Sequence, residues 1–398
     1  MQHNGSNGHS SNGNGSNGHA SNGHASNGHA SNGNGSNGNG RPVTPGGRWA
    51  AGRRRHVAVI GGAGFVGSVL VPRLLDRGYE VTILDAFLYG TESVADADHG
   101  DRLHLVRGDI RSVESLVAGC CHADAIVHLG GLVGDPSCDV DEQLTLEINL
   151  DATAMIGEVA RGLGITRLVF ASSCAVYGDS DGLLDEDTEP APVSMYARTK
   201  ADSERVLMAA ATEAFCPTAL RFGTFYGLSP RPRFDLVVNL LTAKAVREGS
   251  ISIFGGTQWR PFIHVEDGAD SIIACLEAPP DATRGQIFNV GYEGENRTLC
   301  EVGELIGQLV PGTSVNVEPG SAKEANYRVS FEKIRTELGF VPRHTLSDGI
   351  LEIKLAVETL AISDYREARY DNVKTLRAGS AAELLDGLAT PVTVQGVP

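Results

Sequence analysis

The chain has 398 residues, 41% of them hydrophobic, and a formal net charge of −16. This length allows two domains, or one domain with an added lobe, and the apolar fraction allows a sizeable core. The negative charge argues against nucleic acids and anionic membranes as partners, because both require a basic protein surface.

No stretch approaches the roughly 20 apolar residues of a membrane helix, and the N-terminus has no apolar signal core. The seven cysteines are scattered and lack the paired spacing of a zinc or redox site. We therefore expect a cytoplasmic protein with no membrane partner and no metal site.

Residues 1–52 form a low-complexity tract of repeated Ser, Asn, Gly and His. Such a tract has almost nothing to bury and cannot offset its chain entropy, so we expect a disordered tail. Loose metal binding by its histidines is an alternative, but the composition favours a plain solvated tail.

From residue 53 onward, short apolar runs rich in β-branched residues alternate with helical patterns. Such runs are typical of buried parallel strands, and the alternation predicts a doubly wound parallel sheet of the Rossmann type with helices on both faces. The predicted strands are 57–60, 81–84, 103–106, 125–128 and 167–170.

Past residue 222, prolines and a glycine pair interrupt longer helical stretches, which predicts a smaller C-terminal α/β lobe for substrate over 223–355. Strand patterns at 218–222 and 286–290 indicate that the chain re-enters the main sheet. The dinucleotide-binding domain is therefore predicted as 53–222 with a strand return near 286–291. Residues 356–398 form a C-terminal extension whose weak pattern does not show whether it packs.

The first predicted strand runs directly into a glycine-rich septet, Gly61-Gly62-Ala63-Gly64-Phe65-Val66-Gly67. Glycine permits the tight turn and lets the backbone approach a pyrophosphate, and the helix that follows offers free N–H groups to the phosphates. We predict that this loop binds a dinucleotide through Gly61, Gly64, Phe65, Val66 and Gly67. The alternative is a tight structural turn.

Asp85 ends the second predicted strand, 18 residues after Gly67. A carboxylate at this place accepts the ribose hydroxyls of the adenosine. No Arg or Lys follows it in Ala86-Phe87-Leu88, so a 2′-phosphate would meet uncompensated repulsion. We predict NAD rather than NADP as the cofactor.

Tyr196 and Lys200 lie four residues apart, on one face if the segment is helical. A phenol has a pKa near 10 and is a poor base, but a neighbouring ammonium and the positive nicotinamide ring stabilise the phenolate and lower this pKa. Upstream, the strand 167–170 runs towards Ser172 and Ser173, whose hydroxyls are expected in the cleft at the carboxyl ends of the strands. A serine there is also a common turn cap.

These motifs together resemble the extended short-chain dehydrogenases, in particular the nucleotide-sugar epimerases and dehydratases, over about residues 55–355. The resemblance rests on the glycine septet and on motifs that occur in the family's order: Asp109-Ile110-Arg111, His128-Leu129-Gly130-Gly131, Asn149, Ser172-Ser173-x-x-Val176-Tyr177-Gly178, Tyr196-x-x-x-Lys200 and Arg260-Pro261-Phe262-Ile263-His264-Val265.

The resemblance implies roles for individual residues. It implies that Asp109 and Ile110 hold the adenine and that Gly130 lines the cofactor cleft. It implies Ser173, Tyr196 and Lys200 as the catalytic residues, with Tyr196 and Lys200 also at the cofactor. Arg260 resembles the arginine that binds the diphosphate of the sugar nucleotide, a role suited to a guanidinium fork.

The resemblance leaves the reaction open between epimerase and dehydratase. In the family's 4,6-dehydratases two acidic residues directly follow the catalytic serine or threonine, whereas this chain has Cys174 and Ala175. This difference favours an epimerase that oxidises a sugar carbon, by analogy C4, and returns the hydride. A cysteine at position 174 is expected to face the sugar, so an unusual dehydratase using Cys174 is the alternative, with simple packing the more favoured interpretation.

Further candidates for substrate binding lie in the second lobe. Thr224 stands where related epimerases often have Asn, and Arg328 follows Tyr327 where relatives place an Arg before the tyrosine. Arg231 and Arg233 are candidates for a phosphate contact. The alternative is that both are solvated charges in a loop. By analogy with the family we expect a homodimer acting on a nucleotide sugar. A non-catalytic NAD-binding module is the alternative from another class.

Overall fold

The computed structural model describes residues 55–95, 100–320, 325–378, 385, 388 and 391–394. The tract 1–52, predicted to be disordered, lies outside the described residues. All the described residues belong to one unit. The domain boundaries taken from the sequence stay predictions.

The described part of the chain contains strands in the order expected from the apolar runs, followed by short strands of the second lobe. They are β1 (His56–Ile60), β2 (Glu80–Asp85), β3 (Leu103–Arg107), β4 (Ala125–His128), β5 (Arg167–Ser173), β6 (Leu183–Leu184), β7 (Cys216–Phe222), β8 (Thr224–Tyr226), β9 (Ser250–Phe254), β10 (Trp259–His264), β11 (Gln286–Val290), β12 (Asn296–Thr298), β13 (Ser314–Glu318), β14 (Arg328–Val329) and β15 (Val392–Val394).

Eight strands form the main sheet, in the order β11-β7-β5-β4-β1-β2-β3-β15. All neighbours pair in parallel except β15, which pairs antiparallel with β3 at the edge. The strand order reverses between β1 and β4, so β1 and β4 flank the crevice in which such sheets bind ligands. β11 lies beside β7, which returns the chain from the second lobe to the main sheet.

Helices connect these strands and cover both faces of the sheet. They are α1 (Gly67–Asp76), α2 (Glu92–Ala95), α3 (Val113–Cys120), α4 (Asp135–Cys138), α5 (Glu142–Leu146), α6 (Ala152–Gly162), α7 (Met195–Ala209), α8 (Val237–Glu248), α9 (Val265–Glu277), α10 (Pro280–Thr283), α11 (Leu299–Leu309), α12 (Glu332–Leu338), α13 (Leu346–Glu358) and α14 (Asn372–Ala378). A π-helical turn, Glu147–Asp151, joins α5 to α6.

The core is divided by the main sheet. On one face, residues of α1 and α9 such as Leu74 and Ile272 pack on Val59 and Val127; on the other face, Leu116, Ile156 and neighbouring side chains cover the opposite side. The strands are nearly all apolar because both of their faces are buried. Polar side chains inside these strands are few, among them the buried Thr82 and Thr218, and others lie at the strand ends.

The second lobe has its own apolar cluster, formed by α8, α11 and α13 with β9 and β10. β10 pairs in parallel with β8, which follows β7 after one residue, so the lobe begins at the carboxyl end of a main-sheet strand. β14 pairs with β6, a short strand in the connection between β5 and α7. Both pairings join the lobe to the segment that carries the predicted catalytic residues. Among the helices described, none has the length and apolar character required to cross a membrane.

Candidate active site

The glycine-rich loop between β1 and α1 is shaped as a cradle that a side chain would fill. Gly61 has a φ of +79°, and a Cβ built there would lie 2.7 Å from the backbone nitrogen of Gly130. A Cβ on Gly67 would lie 2.5 Å from the carbonyl oxygen of Gly62. Glycine is therefore required at both positions, one for the turn and one for the close approach of helix to loop.

The N-terminus of α1 is free to bind an anion. Its cap residue, Val66, provides no side-chain hydrogen bond, and the first turn holds no acidic residue. The N–H groups of Ser68 and Val69 are bonded to the carbonyl oxygens of Gly64 and Val66, so a phosphate would meet the N–H groups that precede them and the positive end of the helix dipole. Phe65 is buried beside this turn. The loop therefore fits the pyrophosphate of a dinucleotide.

Asp85 lies at the carboxyl end of β2, next to the glycine loop. Its two carboxylate oxygens accept hydrogen bonds from the backbone nitrogens of Ala63, at 3.0 Å, and Phe87, at 2.8 Å. Burial raises the pKa of Asp85, and these hydrogen bonds oppose the increase. The carboxylate is thus fixed against the loop, where the ribose of an adenosine was predicted.

The ends of β3 and β4 complete the predicted adenosine side. The Asp109 carboxylate is held by the Arg111 guanidinium, with an Nη2–Oδ2 distance of 2.7 Å, and Arg111 also pairs with Glu147 at 2.9 Å. Ile110 is partly buried against core residues. A Cβ on Gly130, just after β4, would lie 3.1 Å from Ile60 at the end of β1, so the ends of β1 and β4 approach closely here.

The predicted catalytic pair lies on α7. The Ser194 hydroxyl accepts the backbone N–H of Ala197 and starts the helix, so Tyr196 and Lys200 fall one turn apart. Lys200 is 3% exposed, its Nζ donates to the carbonyl oxygen of Ala171 at 2.8 Å, and Nζ lies 5.9 Å from the centre of the Tyr196 ring. The ammonium is therefore held between the end of β5 and the phenol.

Burial dominates the titration of both groups. It lowers the pKa of Lys200 to about 8 and raises the pKa of Tyr196, while a hydrogen bond with Ser173 opposes the rise at Tyr196. The sequence argument predicted a lowered phenol pKa. The protein alone gives the opposite direction, because desolvation of the buried phenolate outweighs the polar groups around it.

Ser173 and Cys174 differ in where their side chains lie. The Ser173 hydroxyl accepts the N–H of Ala175 at 3.2 Å and also bonds with Tyr196. Cys174 has no exposed surface, and its Sγ donates to the carbonyl oxygen of Arg221 at 3.1 Å. Burial raises the pKa of this thiol. We therefore correct the expectation that Cys174 faces the sugar: a tight turn begins after Ser173 and directs the thiol into the core.

The predicted substrate residues of the second lobe gather on β8, β10 and β14. Thr224 on β8 is paired with Phe262 of β10, the strand that also carries Arg260. Arg260 Nη1 donates to the carbonyl oxygens of Trp259 and Ala325, and the guanidinium lies 5.2 Å from the centre of the Tyr327 ring. These contacts fix the orientation of the Arg260 guanidinium group.

Arg328 lies on the neighbouring strand β14. It donates to the carbonyl oxygen of Asp181 at 2.9 Å and stands over the Trp259 ring. Its role at a phosphate stays a prediction.

Arg231 lies in the connection between β8 and α8 rather than on these strands. It is 5% exposed, its guanidinium stacks 3.9 Å from the centre of the Tyr89 ring, and its Nη2 donates to Asn372 Oδ1 at 2.6 Å. Its charge also acts on Asp85, which places it on the predicted cofactor side. Its predicted role as a substrate ligand stays a prediction. Arg233 is paired with Asp235 at 2.6 Å and is not a solvated loop charge.

Sequence reasoning did not predict Cys138 as a residue near the catalytic pair, and it named Asn149 only as part of the family pattern. Cys138 on α4 is buried, and its charge state is coupled to that of Lys200; burial raises the pKa of this thiol to about 12. Asn149, in the π-helical turn, binds both backbone groups of Leu132, at 2.8 and 2.9 Å. The sequence places Cys138 in the connection that follows β4, where site residues gather. Because its spacing to the other cysteines matches no metal site, it was not singled out.

A buried ion pair supports the ends of β5 and β7 beneath the site. Arg221 and Glu204 are 3% and 4% exposed and pair at 2.7 Å. Ser172 donates to the same Glu204 carboxylate, and Arg221 donates to the Tyr177 hydroxyl at 2.9 Å. The network joins α7 to β7 and to β5, the strand that bears Ser173.

We expect Glu204→Ala to lower the free energy of unfolding by about 3–5 kcal/mol, because it leaves the Arg221 charge buried and unpaired. Urea denaturation measures this change. The control is Glu213→Ala, which removes an exposed carboxylate from the loop that follows α7. A loss at Glu204 no larger than at Glu213 would contradict the assignment of a supporting ion pair.

Comparison with known proteins identifies the family. The sequence profile described as the NAD dependent epimerase/dehydratase family matches residues 57–291. The chain belongs to this family. It is 30% identical to the UDP-glucose 4-epimerase of Azospirillum brasilense over 328 residues, which are 76% of this chain and 92% of the relative.

Other relatives carry other activities. A dTDP-glucose 4,6-dehydratase of Actinoplanes sp. is 28% identical over 312 residues, 74% of this chain and 95% of the relative. Among solved structures, MoeE5 in complex with UDP-glucuronic acid and NAD matches with a TM-score of 0.67 and 29% identity, over 77% of this chain and all of that one. The predicted family, the Rossmann-type fold with an added lobe, the assignment as an enzyme and the use of NAD are confirmed.

Proposed function

We propose that the chain is an NAD-dependent epimerase of a nucleotide-activated sugar, acting at C4 through a transient keto sugar. One observation carries this choice within the family: neither residue directly after Ser173 supplies an acid or base. Position 175 is alanine, and the Cys174 thiol is buried and bonded to the carbonyl oxygen of Arg221. Elimination of water needs such a pair at the sugar, whereas epimerisation does not.

The side chains of this chain carry the proton transfer. Bound NAD would supply the hydride acceptor for oxidation of the sugar carbon and the hydride donor for its reduction on the other face. Tyr196 acts as a phenolate, which Lys200 and the positive nicotinamide ring of bound NAD have to stabilise against the effect of burial. In this form it accepts the proton of the sugar hydroxyl and later returns it, with Ser173 hydrogen-bonded to the phenol. Lys200 holds positive charge beside the phenol and, with its pKa at about 8, is mostly charged at neutral pH.

Binding of the nucleotide sugar is assigned to the second lobe. Arg260, oriented by two carbonyl groups and by Tyr327, offers its remaining N–H groups to the diphosphate. Thr224 on the adjacent strand and Arg328 beside Trp259 are the further candidates. The relatives named for UDP-glucose and crystallised with UDP-glucuronic acid support a nucleotide sugar as the substrate class.

The experiment incubates purified protein with UDP-, dTDP-, GDP- and CDP-sugars and identifies the products by NMR and mass spectrometry. An isobaric product with inverted configuration is expected. A product lighter by one water would show a dehydratase and overturn the proposal. No turnover of any sugar, with NAD still bound, would favour the non-catalytic module. The homodimer and the cytoplasmic location stay predictions.

A further inference from the structure

Described residues of the C-terminal segment pack beside the part of the main sheet that is predicted to hold adenosine. After α13 the chain passes α14, and β15 then pairs with the last three residues of β3, Leu105 to Arg107. Asp109 and Ile110 follow these residues after Gly108. Residues 392–394 are thus attached close to the predicted adenine site.

Leucine side chains attach the same segment to the cofactor side. Leu376, Leu385 and Leu388 are 1%, 6% and 8% exposed and share one apolar cluster with residues that follow β4, among them Leu132. The side chains packed against this cluster are Ala86, Leu88, Ile110 and Tyr196. Those four follow β2, follow β3 or belong to the catalytic helix, so the leucines face the cofactor residues rather than the second lobe.

A polar contact fixes the start of the segment. Asn372 is 4% exposed and accepts a hydrogen bond from Arg231 at 2.6 Å, while Arg231 stacks on Tyr89, four residues after Asp85. The carbonyl oxygen of Tyr370 accepts the backbone N–H of Phe234 at 2.8 Å. The segment is therefore held at its start by polar contacts, in its middle by leucines and at its end by β15.

We propose that the described residues of the segment 370–394 form a strap over the adenosine side of the NAD site and slow the exchange of the cofactor. The inference rests on the proposed function in one respect. An epimerase that returns the hydride it removed has to keep its reduced cofactor between the two half-reactions. The leucines of the segment cover Leu88 and Ile110 on the cofactor side. The cofactor is retained because its release then requires the segment to detach.

The test measures the release of NADH from the full chain, loaded with NADH and mixed with excess NAD, by the loss of NADH fluorescence. Leu376→Asp is expected to raise the release rate by about tenfold, since a charge in the cluster detaches the strap. Leu355→Asp makes the same change at a leucine that is 61% exposed on α13, and its release rate is expected to stay that of the unaltered chain.

A milder variant, Asn372→Ala, removes the acceptor for Arg231 and is expected to speed release in the same direction by a smaller factor. Because it removes one hydrogen bond, it keeps the test valid if Leu376→Asp fails to fold. Unchanged release in Asn372→Ala and in folded Leu376→Asp would overturn the proposal. So would faster and tighter NADH binding in Leu376→Asp, because the segment would then compete with the cofactor. Neither result depends on sugar turnover, which tests the epimerase proposal separately.

Discussion

Replacing Tyr196 with Phe is expected to lower epimerase turnover by about 100- to 10,000-fold, the range of a lost general acid–base group. The variant removes only the hydroxyl that bonds with Ser173, and it keeps the ring that packs against the apolar cluster. NADH affinity should therefore stay that of the unaltered chain. Product formation by NMR and NADH fluorescence measure the two quantities.

The matched control for this prediction is Tyr292→Phe, which removes the hydroxyl of a tyrosine that is 37% exposed. We expect it to leave turnover unchanged. If Tyr196→Phe retained turnover within a few-fold of the control, the phenol would not be the base and the mechanism proposed here would be wrong.

Gly61→Ala is expected to weaken NADH binding by about a hundredfold, equivalent to about 2.8 kcal/mol. Two effects combine: the φ of +79° is unfavourable for alanine, and its Cβ would lie 2.7 Å from the backbone nitrogen of Gly130. The loop has to shift to relieve this contact, and a shifted loop no longer fits the pyrophosphate. Fluorescence titration with NADH measures the affinity.

Gly78→Ala separates the two effects. Gly78 has a φ of +82°, but nothing lies within 4 Å of a Cβ built there. Both variants are expected to lose about 1–2 kcal/mol of stability in urea from the backbone alone, and only Gly61→Ala should lose NADH affinity. Equal NADH binding by the two variants would show that the cradle is not the dinucleotide site.

Local patterns were sufficient to predict the parallel strands of the main sheet, but not the antiparallel edge strand β15. Runs such as 57–60 and 125–128 are short, apolar and β-branched because both faces of β1 and β4 are buried, so the pattern follows from the packing. The spacing of Tyr196 and Lys200 likewise follows from one turn of α7. These features depend on neighbours in the sequence and can be read there.

Features that depend on distant segments could not be read in this way. The contact between Arg231 and Asn372 joins residues 141 positions apart, and no local pattern marks either one. The direction of the Cys174 thiol depends on a tight turn that starts after Ser173. If β5 continued through residue 174 instead, the side chain would point in another direction. The pKa of Tyr196 depends on burial that only the assembled site provides.

The antiparallel pairing of β15 with β3 also affects how the protein associates with itself. An uncovered strand at the border of a sheet offers free N–H and C=O groups to a strand from another molecule. Here Val392 to Val394 already occupy those groups along Leu105 to Arg107. A second copy cannot extend the sheet at β3 without displacing them, so chains that lose these residues should aggregate more readily than chains that keep them.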